Sequence, residues 1–96
     1  MTLLFRNFRR KKFHVCLVCG YSHLTRPLYN KRGRPNIGII CSCCGFQPGY
    51  DDTELGITIE EYREYWLLGG NIWFEDKVRP KVWDLKKQLT NINIEE

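Results

Sequence analysis

Cys16-Leu-Val-Cys19-Gly-Tyr21 and Cys41-Ser-Cys-Cys44-Gly-Phe46 are the two stretches from which the rest of this 96-residue chain can be read. Each is a Cys-x-x-Cys pair followed by glycine and an aromatic, so one local device occurs twice. Two sulfurs leaving a tight turn converge on one ion, and four of them close a tetrahedral shell around Zn²⁺ with Zn–S near ~2.3 Å. Glycine after the second cysteine permits the left-handed backbone such turns need, and turn amides then donate to the sulfurs. The spacing predicts a structural Zn²⁺ held by Cys16, Cys19, Cys41 and Cys44. Cys43 is adjacent to Cys44, which strains the two as a ligand pair, and it reads as a small buried filler. His14 and His23 are the alternative ligands, but four well-spaced sulfurs fill the shell without them.

A chain of this length is one domain, and a small one. Trp66, Trp73, Trp83, Tyr62 and Phe74 all lie in its second half, so the amino-terminal half needs a staple. Thiolate zinc contributes an apparent ~10–16 kcal/mol to folding, against a typical net domain stability of about 5–15 kcal/mol. Five cysteines is an odd number, which suits metal in a reducing compartment better than a disulfide framework. Met1-Thr-Leu-Leu-Phe5 is too short for a secretory core, and its charges follow it rather than precede it. No run approaches the ~20 apolar residues of a membrane helix. The expected location is the cytoplasm, with no membrane partner.

Residues 1–50 carry nine Lys/Arg and no acid, whereas residues 51–96 carry six basic and eleven acidic residues. The halves are therefore +9 and −5, which gives the net +4. Four thiolates on one Zn²⁺ add −2 to the basic half and weaken its pull on phosphate.

Residues 1–13 read as a basic arm, 14–52 as a ribbon and 53–96 as a helical part of one domain. In the ribbon, His14-Val15 and Ile37-Gly-Ile-Ile40 are the expected strands, each delivering a knuckle, with Lys31 to Asn36 as an exposed tip. Thr58-Ile-Glu-Glu61 has the capping-box pattern. Ile59, Tyr62, Tyr65 and Trp66 give one apolar face to a helix that Gly69-Gly70 stops near Leu68. A shorter helix is expected from Asp84 through Leu89, with Val82, Leu85 and Leu89 inward. The expected fold is α+β: an antiparallel zinc ribbon with two cysteine knuckles, packed on two short helices.

Catalytic zinc keeps an open position, whereas four sulfurs close this one. The βαβ pattern of a thioredoxin-type redox site is missing, and the chain has no serine nucleophile motif or phosphate loop. Asp51-Asp52 reads as turn-capping rather than as an acid pair. The chain is not expected to be an enzyme. The arm and the Arg26 to Arg34 loop offer salt-sensitive phosphate contacts, but few aromatics interleave them to stack bases. The tryptophans are read first as core, and second as a partner-binding patch.

At the knuckles and beyond, the chain resembles small bacterial cysteine-rich zinc-ribbon proteins with the pattern Cys-Pro-x-Cys-Gly-Tyr … Cys-Pro-Cys-Cys-Gly-Phe-x-x-Gly-Tyr-Asp-Asp. The matches are Cys16 to Tyr21, Cys41 to Phe46, Gly49-Tyr-Asp-Asp52, Glu60-Glu-Tyr62, Trp66 and Trp73-Phe74. Leu17 and Ser42 stand where that group has proline, which loosens the turns and removes no ligand. Similar proteins occur beside bacterial polymorphic toxins, so the resemblance implies an immunity role. The function expected is therefore non-catalytic binding of another protein, in its concrete form a toxin whose active site it occludes through Asp51, Asp52, Glu60 or Glu64. The competing expectation is nucleic-acid binding by the basic half.

Overall fold

A computed structural model describes residues 12–94; the arm expected over residues 1–13 lies almost wholly outside them. Among these residues no β-strand forms, and the two α-helices are α1 (Ile59–Leu68) and α2 (Leu85–Leu89). The expected β-hairpin ribbon is thus overturned. What remains of it is two isolated antiparallel bridges, His14 with Leu24 and Tyr29 with Pro35. Two local causes stop a ladder. Gly38, at φ +93°, breaks Ile37-Gly-Ile-Ile40 in its middle and turns Ile39 into the core while Ile37 stays 69% exposed. Pro27 and Pro35 lack the amide N–H that a continuing ladder would use.

The helical half follows its local signals closely. Thr58 Oγ1 accepts from the Glu61 amide at 3.0 Å, and Glu61 Oε1 accepts from the Thr58 amide at 3.0 Å. Both halves of the capping box therefore close, satisfying two of the amides that a helix start leaves free. α1 stops at Gly69, whose N–H donates to Tyr65 O at 2.9 Å. Its inward face is Ile59, Tyr62 and Trp66, whereas Tyr65 is 61% exposed, contrary to the periodicity. α2 is capped by Asp84, whose Oδ1 accepts from the Lys87 amide. It drives Leu89 fully into the interior, while Val82 stands out in solvent.

The core is thin and rich in sulfur. Five of the twelve residues in the buried cluster are cysteines, joined by Val18, Leu24, Leu28, Ile39, Phe46, Trp66 and Trp73. Phe46 is fully enclosed and sets its ring edge-on to Tyr62 at 5.2 Å, a burial of about 1.5–3 kcal/mol. The turn after the second knuckle consumes both of its aspartates. Asp51 Oδ2 accepts from the Gln47 amide at 2.7 Å, and Asp52 Oδ1 accepts from the Gly49 amide at 2.7 Å. The other oxygen of Asp52 accepts from Tyr29 Oη, tying the segment between the knuckles to this turn. No helix among the described residues is long and apolar enough to cross a membrane.

Candidate metal centre

The two knuckles fold alike, hydrogen bond for hydrogen bond. In the first, the Cys16 amide donates to Tyr21 O at 2.7 Å and the Gly20 amide to Cys16 O at 2.8 Å. In the second, the Cys41 amide donates to Phe46 O at 3.0 Å and the Gly45 amide to Cys41 O at 2.9 Å. Gly20 and Gly45 sit at φ +85° and +83°, backbone that an L side chain enters only with strain. The repeated glycine is what lets each turn close so tightly.

The turns bring Cys16, Cys19, Cys41 and Cys44 together, with every pair of sulfurs within 4.8 Å. The first cysteine of each knuckle faces the second of the other. Cys16 Sγ lies 3.8 Å from Cys44 Sγ, and Cys19 Sγ lies 3.7 Å from Cys41 Sγ. A tetrahedron with metal–sulfur bonds of ~2.3 Å has edges of about 3.8 Å. The four sulfurs can therefore bind a metal ion. All four residues are buried, so no water site opens onto them. Without a cation, burial pushes the Cys19 and Cys44 thiols far up, whereas hydrogen bonds from Cys16, Cys19 and Cys44 hold the Cys41 thiol down. A divalent cation would offset the cost of burying thiolates this close together.

Cys43, fully buried, stands outside the four-sulfur group; its Sγ accepts from Gln88 Nε2 at 3.4 Å. His14 pairs its backbone with Leu24, and His23 is exposed, with Nδ1 3.1 Å from Ser22 Oγ. Neither histidine joins the group.

The carbonyls of buried turns need donors, and here the helical half supplies them. Arg63, on α1, donates from Nε to Val18 O at 2.7 Å and from Nη2 to Leu17 O at 2.8 Å. Gln88 Nε2 donates to Cys19 O at 2.9 Å, and Asn91 Nδ2 to Gly20 O at 2.9 Å. On the second knuckle, the backbone amides of Glu75 and Phe74 donate to Ser42 O at 2.8 Å and Cys43 O at 2.9 Å. Tyr62 Oη donates to Cys44 O at 3.1 Å. Burial and the nearby sulfurs push the Tyr62 hydroxyl up to about 12, so it remains a donor throughout the neutral range. Arg63, Gln88 and Asn91 were not legible as site residues, because nothing in their local sequence shows which distant carbonyl they reach.

No protein-family profile matches the chain, and no solved structure matches it. Over 76 residues it is 34% identical to the uncharacterised protein YoaQ of Bacillus subtilis (strain 168), covering 65% of this chain and 64% of YoaQ. Over 73 residues it is 34% identical to the uncharacterised protein YozI of the same organism, covering 62% of this chain and 60% of YozI. The chain thus spans less than two thirds of either relative's length. Neither likeness carries an activity with it.

Proposed function

We propose that this chain is a non-catalytic, zinc-stabilised binding protein whose partner is another protein. The observation that supports this reading most is the double enclosure of the sulfur site. Its four donors fill a tetrahedron, and the peptide groups around them are spent on contacts within the chain. A shell closed in this way leaves no position for substrate, so the metal's work is structural. Tetrathiolate shells take zinc or iron; the expected finding is a colourless protein with one zinc per chain, and iron in its place would overturn that assignment.

The resemblance to toxin-associated cysteine-rich proteins gives the reading its concrete form, an immunity protein that acts in the cytoplasm. Asp51 and Asp52 serve the turn, which leaves Glu60 and Glu64, both exposed, as the acids free to meet a partner. The test is tagged-chain purification from the native cell, with metal analysis of the same sample. A stoichiometric protein that stays through moderate salt is the expected result. Recovery of nucleic acid instead, lost steeply as salt rises, would favour the exposed Lys31, Arg32 and Arg34 loop as the functional surface.

A further inference from the structure

Three tryptophans stand in the helical half, and two of their indole N–H groups have acceptors. Trp66 Nε1 donates to Ile72 O at 3.0 Å, and Trp83 Nε1 donates to Gln88 Oε1 at 2.8 Å. Trp73 is only 6% exposed, yet its Nε1 is a buried donor with no acceptor among the described residues. Buried donors are nearly always paired, and an unpaired one marks a place where an acceptor is missing. Trp73 lines a groove of about 500 Å³ together with Tyr21, His23, Val82, Trp83 and Lys87. Its ring meets Tyr21 edge-on at 5.7 Å and Trp83 edge-on at 5.3 Å, so the aromatic walls stand at right angles to one another. Val82, on the rim, is 93% exposed.

The chain beside the groove is net basic. Residues 75–87 contain Lys77, Arg79, Lys81, Lys86 and Lys87 against Glu75, Asp76 and Asp84, a net +2, and all eight side chains are exposed. Asp84 is partly occupied in capping α2. The backbone bonds of residues 76–83 are those of one 3-10 turn, Val78 N to Glu75 O and Arg79 N to Asp76 O. Among the described residues, no backbone hydrogen bond of this rim reaches a cysteine knuckle.

We infer that the groove is the docking site for an extended acidic segment of a partner protein. An apolar residue of the segment seats between Trp73, Trp83 and Val82, a carbonyl or carboxylate oxygen accepts from Trp73 Nε1, and flanking acids meet Lys86 and Lys87. Complementary charge brings the segment in, the aromatic walls hold its apolar residue, and a shift of the 76–83 rim opens the Trp73 N–H to the segment's oxygen, which fixes its register. This inference rests on the protein-binding reading above and names the surface that performs it.

The test follows the three indole N–H signals of the zinc-loaded full chain by ¹H–¹⁵N NMR, with Trp73→Phe assigning the third. The probe is a synthetic seven-residue peptide of Glu and Asp around a central Pro-Leu, with a lysine-for-acid copy and a single-stranded oligonucleotide as comparators. The Trp73 signal should move downfield and saturate with the acidic peptide, while those of Trp66 and Trp83 move several-fold less. Trp73→Phe should raise Kd at least tenfold at unchanged metal content. Val82→Glu, at a solvent-exposed position that leaves folding alone, should raise it at least fivefold. No saturable shift at millimolar peptide, equal response to the lysine copy, or preference for the oligonucleotide overturns the proposal. If wild-type chain and Val82→Glu retain the same cellular protein equally, the groove assignment fails and the protein-binding reading stands. If wild-type chain retains no protein, the reading itself fails.

Discussion

In the first knuckle, the carbonyls of Leu17, Val18, Cys19 and Gly20 are met by the side chains of Arg63, Gln88 and Asn91. In the second, those of Ser42 and Cys43 are met by backbone amides of Glu75 and Phe74, and only Cys44 O relies on a side chain, that of Tyr62. Inside, the turns are nearly superposable in their hydrogen bonds and glycine torsions. An identical local motif has thus been fastened in two ways. Side-chain fastening can be undone by one substitution. Backbone fastening survives substitution and is undone only when the segment carrying it moves.

Removing the metal should have the largest effect and should treat the knuckles alike. Zinc in thiolate sites is worth an apparent ~10–16 kcal/mol, more than the net stability of most domains. Cys44→Ser, or a strong chelator at neutral pH, should abolish the near-UV circular dichroism of the whole molecule. α1 has ten residues, below the ~12–15 at which isolated helices become even marginally stable, so it should melt with the rest. Hydrogen exchange sharpens the result. Residual protection at the Phe74 and Glu75 amides in chelator would mean that the second knuckle partly forms first and recruits the other. A cooperatively folded metal-free protein would remove the premise of both.

The paired glycines come next. Each substitution by alanine forces a left-handed residue, at about 1–2 kcal/mol. The surroundings then separate them. A Cβ on Gly20 would lie 2.3 Å from the backbone oxygen of Gln88, an atom of α2 that cannot step aside alone. A Cβ on Gly45 would meet Phe74 Cδ1 at 3.2 Å, a side-chain atom with 59% of its residue exposed and room to turn. Gly20→Ala should therefore cost at least about 3 kcal/mol and Gly45→Ala about 1–2 kcal/mol by denaturant titration with zinc saturating. Equal losses would show that the turn torsion alone decides, and that α2 does not brace the first knuckle.

These contrasts also mark where the sequence could be read. The two knuckles whose sulfurs cluster, the exclusion of Cys43 from the sulfur group, and the start and stop of α1 all depend on residues within a few positions of one another. Cys-x-x-Cys-Gly, Thr58 to Glu61 and Gly69-Gly70 carry them. The ribbon failed because Ile37 to Ile40 looks β-branched by composition, while Gly38 turns it at a torsion that no pattern count registers. Tyr65 and Val82 were placed inward by periodicity, which assumes a helix covered along its whole face. Here α1 is covered at Tyr62 by Phe46 and at Trp66 by Trp83, and it is left open at Tyr65. Arg63 to Val18 spans 45 residues and Gln88 to Cys19 spans 69. Such long-range pairs leave no local trace.

Side-chain fastening can be tested directly. Arg63→Ala removes two charge-assisted bonds to knuckle carbonyls, and each is worth about 1.5–3 kcal/mol when fully buried. Arg63 is half-buried, so a combined loss of about 2–3 kcal/mol is expected, with faster zinc release to a competing chelator. Tyr62→Phe removes one neutral bond on the second knuckle and should cost about 0.5–1.5 kcal/mol, with zinc release little changed. If Tyr62→Phe proves the more damaging, the second knuckle depends on its side-chain anchor, and the division between the two fails.

The smallest expected effect lies at Asp52, which joins neither knuckle but links the segment between them to the turn after the second. Burial alone would raise the Asp52 carboxyl, but hydrogen bonds from Tyr29 Oη and from the Gly49 and Thr53 amides outweigh it and hold the carboxyl below its ordinary 3.8. A carboxyl depressed in the folded state adds stability above its unfolded pKa and loses that contribution as pH falls through the folded value. Asp52→Asn should therefore destabilise by no more than about 1 kcal/mol at neutral pH, because much of this side chain is screened by solvent. The gap from wild type should narrow as pH drops below about 4. Acid also strips metal from thiolates, so the quantity to compare is the difference between variant and parent at each pH, with zinc in excess. Because this tie belongs to neither mode of fastening, the variant should lower amide protection at Gly20 and Gly45 by the same factor. Unequal loss would show that the Tyr29–Asp52 tie belongs to one knuckle, making that knuckle's support part side chain and part turn.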